Sequence, residues 1–396
     1  MTSIAALLFA VAVLEELSSG IPAAGAPDIE RSLGLTHTAT ATVLYVVPGL
    51  VALVIDPLVY FAAERVGRPV MVRLGLAAMA AAFFAAAIAP GAVTLACAIS
   101  VWHVACGAAI AFSEVTLVDL WPEQRARTMA RWTLFASVGD LGGPVLLGAL
   151  AMLGISGERW RIGFLVIGAL VAMLAIAVAL RRFPTPPAAP DENEPTLWQA
   201  TREAIRDRVL ICWLFGCALC NLLDEILIVF ASIHLRDDLG ATAVGQSVVI
   251  SAFIVGTTLG LVVLDRLLTR HREQRLIIAI GSACAAVFAL WLAAPTVWLS
   301  ALLMLAVGLT AGPLYPLAIA QAYARCPGRS SVVLVVSHLF SPIALAIPWL
   351  LGRVADHAGA LAALALLAAQ PIGLVVLALV TTGDRDSRDS RTGDAP

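Results

Sequence analysis

The sequence predicts an all-α membrane protein whose twelve transmembrane helices form two pseudo-symmetric six-helix bundles. Three observations predict it. Of 396 residues, 60% are hydrophobic and only 13% charged, whereas soluble domains run near half apolar and a quarter charged. Apolar stretches long enough to cross a bilayer, about 20 residues each, recur down the whole chain. A polar segment near the middle separates two halves that faintly repeat one another.

The first stretch, 3–26, has no basic region ahead of it and carries Glu15 and Glu16. It reads as a membrane span and not as a cleaved leader. Further spans are predicted at 40–63, 70–89, 92–119, 131–154 and 160–181, closing a first bundle over 1–181. Residues 182–208, RFPTPPAAPDENEPTLWQATREAIRDR, are proline-rich, then acidic, then amphipathic. They predict a surface linker ending in a short interfacial helix. A second bundle over 209–382 follows, with spans at 209–232, 242–265, 275–293, 296–322, 330–351 and 359–382. The tail 383–396 is charged and too poor in apolar residues to fold.

All 25 basic residues are arginine. With the N-terminus inside, twenty of them, from Arg65 to Arg391, fall on the cytoplasmic side, and five (Arg31, Arg159, Arg161, Arg236 and Arg353) fall outside. That asymmetry predicts two cytoplasmic termini and an inner-membrane location in a bacterium. The net charge of -2 and the lack of a dense basic tract exclude a nucleic-acid partner. Seven cysteines lie mostly in apolar runs without metal-ligand or redox spacing, so they read as small apolar fillers. No nucleophile or metal constellation of an enzyme stands out, and no cofactor or metal is expected.

The internal repeat sets LEEL (14–17) and ERSLGLT (30–36) against LDEI (223–226) and RDDLGAT (236–242). It makes Glu15 and Glu16 counterparts of Asp224 and Glu225. Ionisable groups at membrane depth are costly and mark substrate or proton pathways. These four are therefore candidates for proton coupling or substrate binding, joined by His103, which titrates near neutral pH, and by Asp140. Glu114 shares a helical stripe with His103. Asp56 precedes Pro57, whose missing N–H frees a carbonyl, and is a gating candidate. Trp102, Phe112, Trp132, Phe135, Trp213 and Phe253 are candidates for the wall of a substrate cavity. Gly139, Gly143, Pro144 and Gly148 give the fifth span a smooth packing face, as Gly256 and Gly260, and Gly308 and Gly312, do in the eighth and tenth.

Several of these motifs resemble the major facilitator superfamily. The loop ERVGRP (64–69) is similar to that family's D-R-x-G-R-R gating signature, with Glu64 for aspartate, Arg65, Gly67 and Arg68 retained, and Pro69 at the last basic position. A degenerate second copy stands at Asp265-Arg266. His103, four residues before Gly107, occupies a place where the family usually carries arginine. The glycine run of the fifth span resembles the motif of proton-coupled exporters. The resemblance implies alternating access, with Glu64 and Arg68 pairing with groups such as Asp119 and Arg127, and with Glu114 also at the inner gate. It implies proton-coupled antiport, the efflux of a small cationic or amphipathic molecule. The alternatives are symport of a nutrient or metal complex and, further off, a non-transporting receptor or scaffold. The expected partners are a small-molecule substrate, protons and membrane lipid, with the protein a monomer.

Overall fold

The computed structural model describes residues 3–36, 39–40, 42–140, 142–154, 158–183 and 196–392. The proline-rich part of the linker, 184–195, and the last four residues of the tail lie outside the described residues. So do the side chains of Pro144 and Glu225.

The described chain is helical throughout, and eleven of its helical stretches are long and apolar enough to cross a membrane. The first span runs further than the sequence predicts, as α1 (Ser3–Leu33). A five-residue π-helical turn, Thr42–Val46, leads into α2 (Val47–Val66), with Pro57 inside it. α3 (Arg68–Ala87) follows after one residue, Gly67, at φ 89°. That is a backbone conformation only glycine adopts without strain, so Gly67 lets two helices meet with no loop. α4 (Ala92–Leu120) is buried along most of its length. The fifth span is described as α5 (Arg125–Asp140) and α6 (Gly142–Met152), with residue 141 outside the described residues, and the sixth is α7 (Arg159–Ala179). The expected linker helix is α8 (Leu197–Ala204).

The seventh span is not continuous. α9 (Arg208–Leu219) gives way to a 3₁₀ turn at Cys220–Leu223, and α10 (Glu225–Asp237) begins after Asp224. α11 (Ala243–Leu267) and α12 (Glu273–Leu292) are unbroken. The tenth span splits into α13 (Val297–Ala311) and α14 (Leu314–Arg325), because Pro313 after Gly312 has no N–H to continue the ladder. The predicted eleventh span is α15 (Ser330–Ser337), a 3₁₀ turn at His338–Phe340, and α16 (Ser341–Ala358). α17 (Ala360–Leu366) and α18 (Ala369–Thr392) make the twelfth, and α18 continues into the charged tail that the sequence leaves unfolded.

Two compact units result. The first is Met1–Pro122 with Phe135–Thr201 and Ser330–Val335, and the second is Glu123–Leu134 with Arg202–Arg329 and Val336–Pro396. The start of α5 thus belongs with the second half of the sequence, and most of α15 with the first.

Apolar side chains that a soluble protein would bury lie outside. Along α2, Leu50, Val54 and Leu58 are each more than half exposed at helical spacing, the face expected of lipid contact. In the first unit a core of large rings joins Phe83 to Trp102 (5.5 Å), Phe83 to Phe164 (5.7 Å) and Trp160 to Phe164 (5.9 Å). Helices also approach through glycines. A Cβ on Gly75 would lie 2.8 Å from Ala105 O, and one on Gly143 would lie 2.6 Å from Gly20. In the second unit Gly256 and Gly260 on α11 meet the backbone of α13, while Gly308 and Gly312 on α13 meet that of α11. Dispersion and backbone proximity do here what hydrophobic burial does in water.

A Gly256→Ala substitution drives a methyl into the Leu305 carbonyl and is expected to cost about 1–3 kcal/mol of overpacking. Gly148, with open space around it, should accept alanine within about 0.5 kcal/mol. Thermal unfolding of both variants in detergent, side by side, reads the difference.

Candidate functional site

In the first unit, carboxylates from three helices come together. Glu15 and Glu16 stand half-buried on α1, where Ser18 and Ser19 hydroxyls return hydrogen bonds to their backbone carbonyls (2.6 and 2.9 Å). Gly139 packs on this turn, so that a Cβ there would lie 2.9 Å from the Glu16 Cβ. Asp56 projects from α2 opposite its exposed face, and its carboxylate rests on Gly107 of α4, 3.5 Å from where a Cβ would be. One turn along α2, Tyr60 packs edge-on to Phe112 (6.0 Å) and feels both Asp56 and the buried Glu114. The sequence separates these acids into coupling and gating roles, and the structure places all of them in the first unit. Asp140, beside Gly139, is exposed. His103 is exposed on α4 with its ring edge-on to Trp102 (5.6 Å).

In the second unit the acid pair falls on the break in the seventh span. Asp224 is exposed, with φ -138° and ψ -122°, and it does not cap α10. The Leu223 N–H, which a continuous helix would have paired internally, donates to Gln370 Oε1 on α18 (2.7 Å).

Of the gating candidates, Glu64, Arg65, Arg68, Asp119 and Arg127 stand at helix ends. Arg68 Nη1 donates to Asp119 Oδ2 (2.5 Å), and the Ser330 hydroxyl donates to Oδ1 of the same carboxylate. Arg127 does not join this group. Its Nε and Nη2 donate to the two oxygens of Asp265 (2.8 and 3.2 Å), and Arg131 Nε adds a third bond to Oδ1 (2.9 Å). Glu64 accepts the Leu197 N–H at the start of α8 (2.7 Å), where Trp198 packs against Phe61 (5.8 Å). Arg65 is exposed, and Gly67 forms the α2–α3 turn.

The proposed cavity aromatics are mostly buried. Trp102 (6%), Phe112 (1%), Trp132 (7%), Trp213 (2%) and Phe253 (2%) are buried, whereas Phe135 is 39% exposed and lies against Phe9. Gln370, Ser330 and the buried Asp28, held by Arg159 and Arg31 (2.8 and 2.6 Å), are absent from the sequence-derived set. A polar residue in an apolar run flags Gln370 at sequence level. Nothing local marks Ser330.

A family model described as the Major Facilitator Superfamily matches residues 8–336 and 214–395. No curated protein sequence matches. Among solved structures, the chain is similar to the Escherichia coli fucose:proton symporter, with 15% identity over 95% of this chain and 98% of that one (TM-score 0.77). It is similar to a proton:xylose symporter, with 12% identity over 96% and 95% (TM-score 0.68). A bacterial homologue of the iron transporter ferroportin shares 15% identity over 95% and 98% (TM-score 0.71). Two of these three are symporters, and none singles out an exporter subclass. The expectation of proton-coupled antiport and efflux of a cationic molecule is therefore corrected. The physical reason lies in the fifth span, whose glycines suggested an exporter. Gly139 and Gly143 seat the fifth span against α1 at Val13, Glu16 and Gly20, a packing need unrelated to transport direction.

Asp265→Ala removes every bond that Asp265 makes to Arg127 and Arg131. These groups are about a quarter to two-fifths exposed, so the clasp contributes on the order of 1 kcal/mol. Amide exchange in 123–134 should accelerate roughly fivefold, while Asp119→Ala should act instead on 330–335. Hydrogen-exchange mass spectrometry of the two variants checks both.

Proposed function

We propose that this chain, which belongs to the Major Facilitator Superfamily, is a proton-coupled symporter importing a small hydrophilic nutrient by alternating access. The family is one of transporters, so the chain is not an enzyme. One observation carries the finer reading: α1, α2 and α4 of the first unit each hold carboxylates within their spans, Glu15 and Glu16, Asp56, and Glu114, with the Asp56 carboxylate seated against Gly107 of α4. Arg31 and Arg65 stand only at the ends of α1 and α2, and α4 has no basic residue but His103. Carboxylates so placed mark a proton path.

In this reading a proton from outside neutralises an acid of the cluster while substrate occupies the pathway. The halves, 1–181 and 209–382, then rock about the central site, and loss of the proton inside resets the carrier. The likeness to fucose and xylose symporters supports co-transport with the proton. A neutral cargo suits the arrangement, because the carboxylates are then engaged by the proton and no substrate charge has to be matched. The break at Cys220–Leu223 supports a binding role for the second unit, since irregular backbone at membrane depth is tolerated where protein or a cavity surrounds it. The ion pairs of Asp119 and Asp265 serve as gate contacts. The arginine asymmetry supports an inner membrane with both termini cytoplasmic. The protein works as a monomer.

The test is uptake into sealed proteoliposomes under an inward proton gradient, across labelled sugars, polyols and other neutral metabolites, with interior pH followed by a trapped dye. Substrate and protons should enter together. Asp56→Asn, Glu15→Gln, Glu16→Gln and Asp224→Asn are each compared. Neutralising the proton carrier should cut gradient-driven uptake at least about 100-fold, the scale of losing a positioned proton-transfer group, while leaving substrate exchange at equal pH. Protons leaving as substrate enters would overturn the reading.

A further inference from the structure

α18 presents a stripe to α9. A Cβ on Gly216 would lie 3.0 Å from Leu374 Cδ2 and 3.2 Å from Leu377 Cδ2, and one on Gly373 would lie 3.2 Å from Leu219 Cδ1. Residues 370, 373, 374 and 377 share one helical face, and Leu219 is the last residue of α9. Gln370 is the next residue of that face and is 1% exposed. It reaches across the 3₁₀ turn and takes the Leu223 N–H (2.7 Å). In an uninterrupted helix that N–H would bond to the Leu219 carbonyl. Gln370 thus gives this turn an acceptor from another helix.

Asp224 follows at once. Aspartate is a favoured N-cap, and other cap residues of this chain do cap: Asp207 accepts from Val209 and Leu210, Thr242 from Gly245, and Thr296 from Leu299. Asp224 occupies the same position before α10 and does not. The residue is exposed.

We infer that Gln370 is the positioning residue for Asp224: the Gln370–Leu223 bond keeps 220–223 from winding into α-helix and thereby presents the Asp224 carboxylate to the substrate. The inference rests on the importer reading for what Asp224 meets, but the coupling of Gln370 to Asp224 is read without transport. Purified full-length protein in proteoliposomes is treated with dicyclohexylcarbodiimide, which modifies carboxyl groups within apolar surroundings. Mass spectrometry then gives the labelling of Asp224 relative to Asp56, which lies in the other unit and serves as an internal standard. Gln370→Leu should change that ratio about fivefold or more, the equivalent of one lost hydrogen bond to a buried donor. Gln370→Glu, which keeps an acceptor oxygen at the same reach, should restore it. Amide exchange at 220–226 should rise in the leucine variant only. Should Gln370→Leu fail to reconstitute, Gln370→Asn, one methylene too short, carries the same expectation.

A ratio and an exchange profile equal to wild type in the leucine or asparagine variant would overturn the inference. So would equal changes at Asp224 and Asp56, which would mean general loosening. In uptake of whichever panel compound the wild type carries, Gln370→Leu should raise KM more than it lowers kcat, and add nothing in an Asp224→Asn background. A wild type that moves no panel compound overturns the importer reading alone, because the labelling ratio stands apart from it.

Discussion

Lipid offers no hydrogen bonds to a peptide group, and that constraint shapes nearly every feature of this chain. Each span must satisfy its backbone within its own helix, and any departure needs a partner from elsewhere in the protein. Three departures among the described residues illustrate it. Gly67 turns α2 into α3 through a single left-handed residue. Pro313 ends α13 and starts α14 with a residue that has no N–H to satisfy. At Cys220–Leu223 the chain unwinds deep in a span, and a glutamine from another helix accepts the released N–H. The last case is the one where a local break requires a distant residue.

The same solvent weakens the usual reason for helices to associate, because lipid is as apolar as leucine. Close approach takes over that role. Gly256, Gly260, Gly308 and Gly312 bring α11 and α13 together at backbone distance, and Gly139 and Gly143 do so for α5, α6 and α1. The second of these contacts has a chemical consequence. It fixes the turn of α1 that bears Glu15 and Glu16, while Gly107 leaves room for the Asp56 carboxylate against α4. Packing glycines thus decide where the acids meet.

Charges that are not buried at membrane depth are gathered at helix ends. Asp119 receives Arg68 and Ser330, and Asp265 receives Arg127 and Arg131. In each case one carboxylate collects donors from distant parts of the sequence, and the segments it collects, 123–134 and 330–335, are those assigned to the unit formed mainly by the other half. Partly exposed pairs of this kind are weak individually.

Composition, span length and the spacing of ERVGRP were enough to read from the sequence an all-α membrane protein of the major facilitator fold, because the bilayer imposes length and hydropathy residue by residue. Local patterns also picked out the unusual charges: Glu15, Glu16, Asp56, Glu114 and Asp224. Their grouping was not legible. Which neighbour each acid meets depends on the rotation of α1, α2 and α4 about their axes, set by glycine contacts tens of residues apart, as at Gly139 with Glu16 and Gly107 with Asp56. Arg127 was expected with Glu64, Arg68 and Asp119, and it lies with Asp265 instead, because pairing follows the ends of helices and not their order. The exporter reading failed for a related reason, since a glycine run states that something packs closely and is silent on direction of transport. The break in the seventh span was hidden because LCNLLDEIL is apolar enough to pass for an unbroken helix. Only the tertiary structure decided it, by placing Gln370, some 150 residues away along the chain, where its oxygen could replace the carbonyl that the helix gave up.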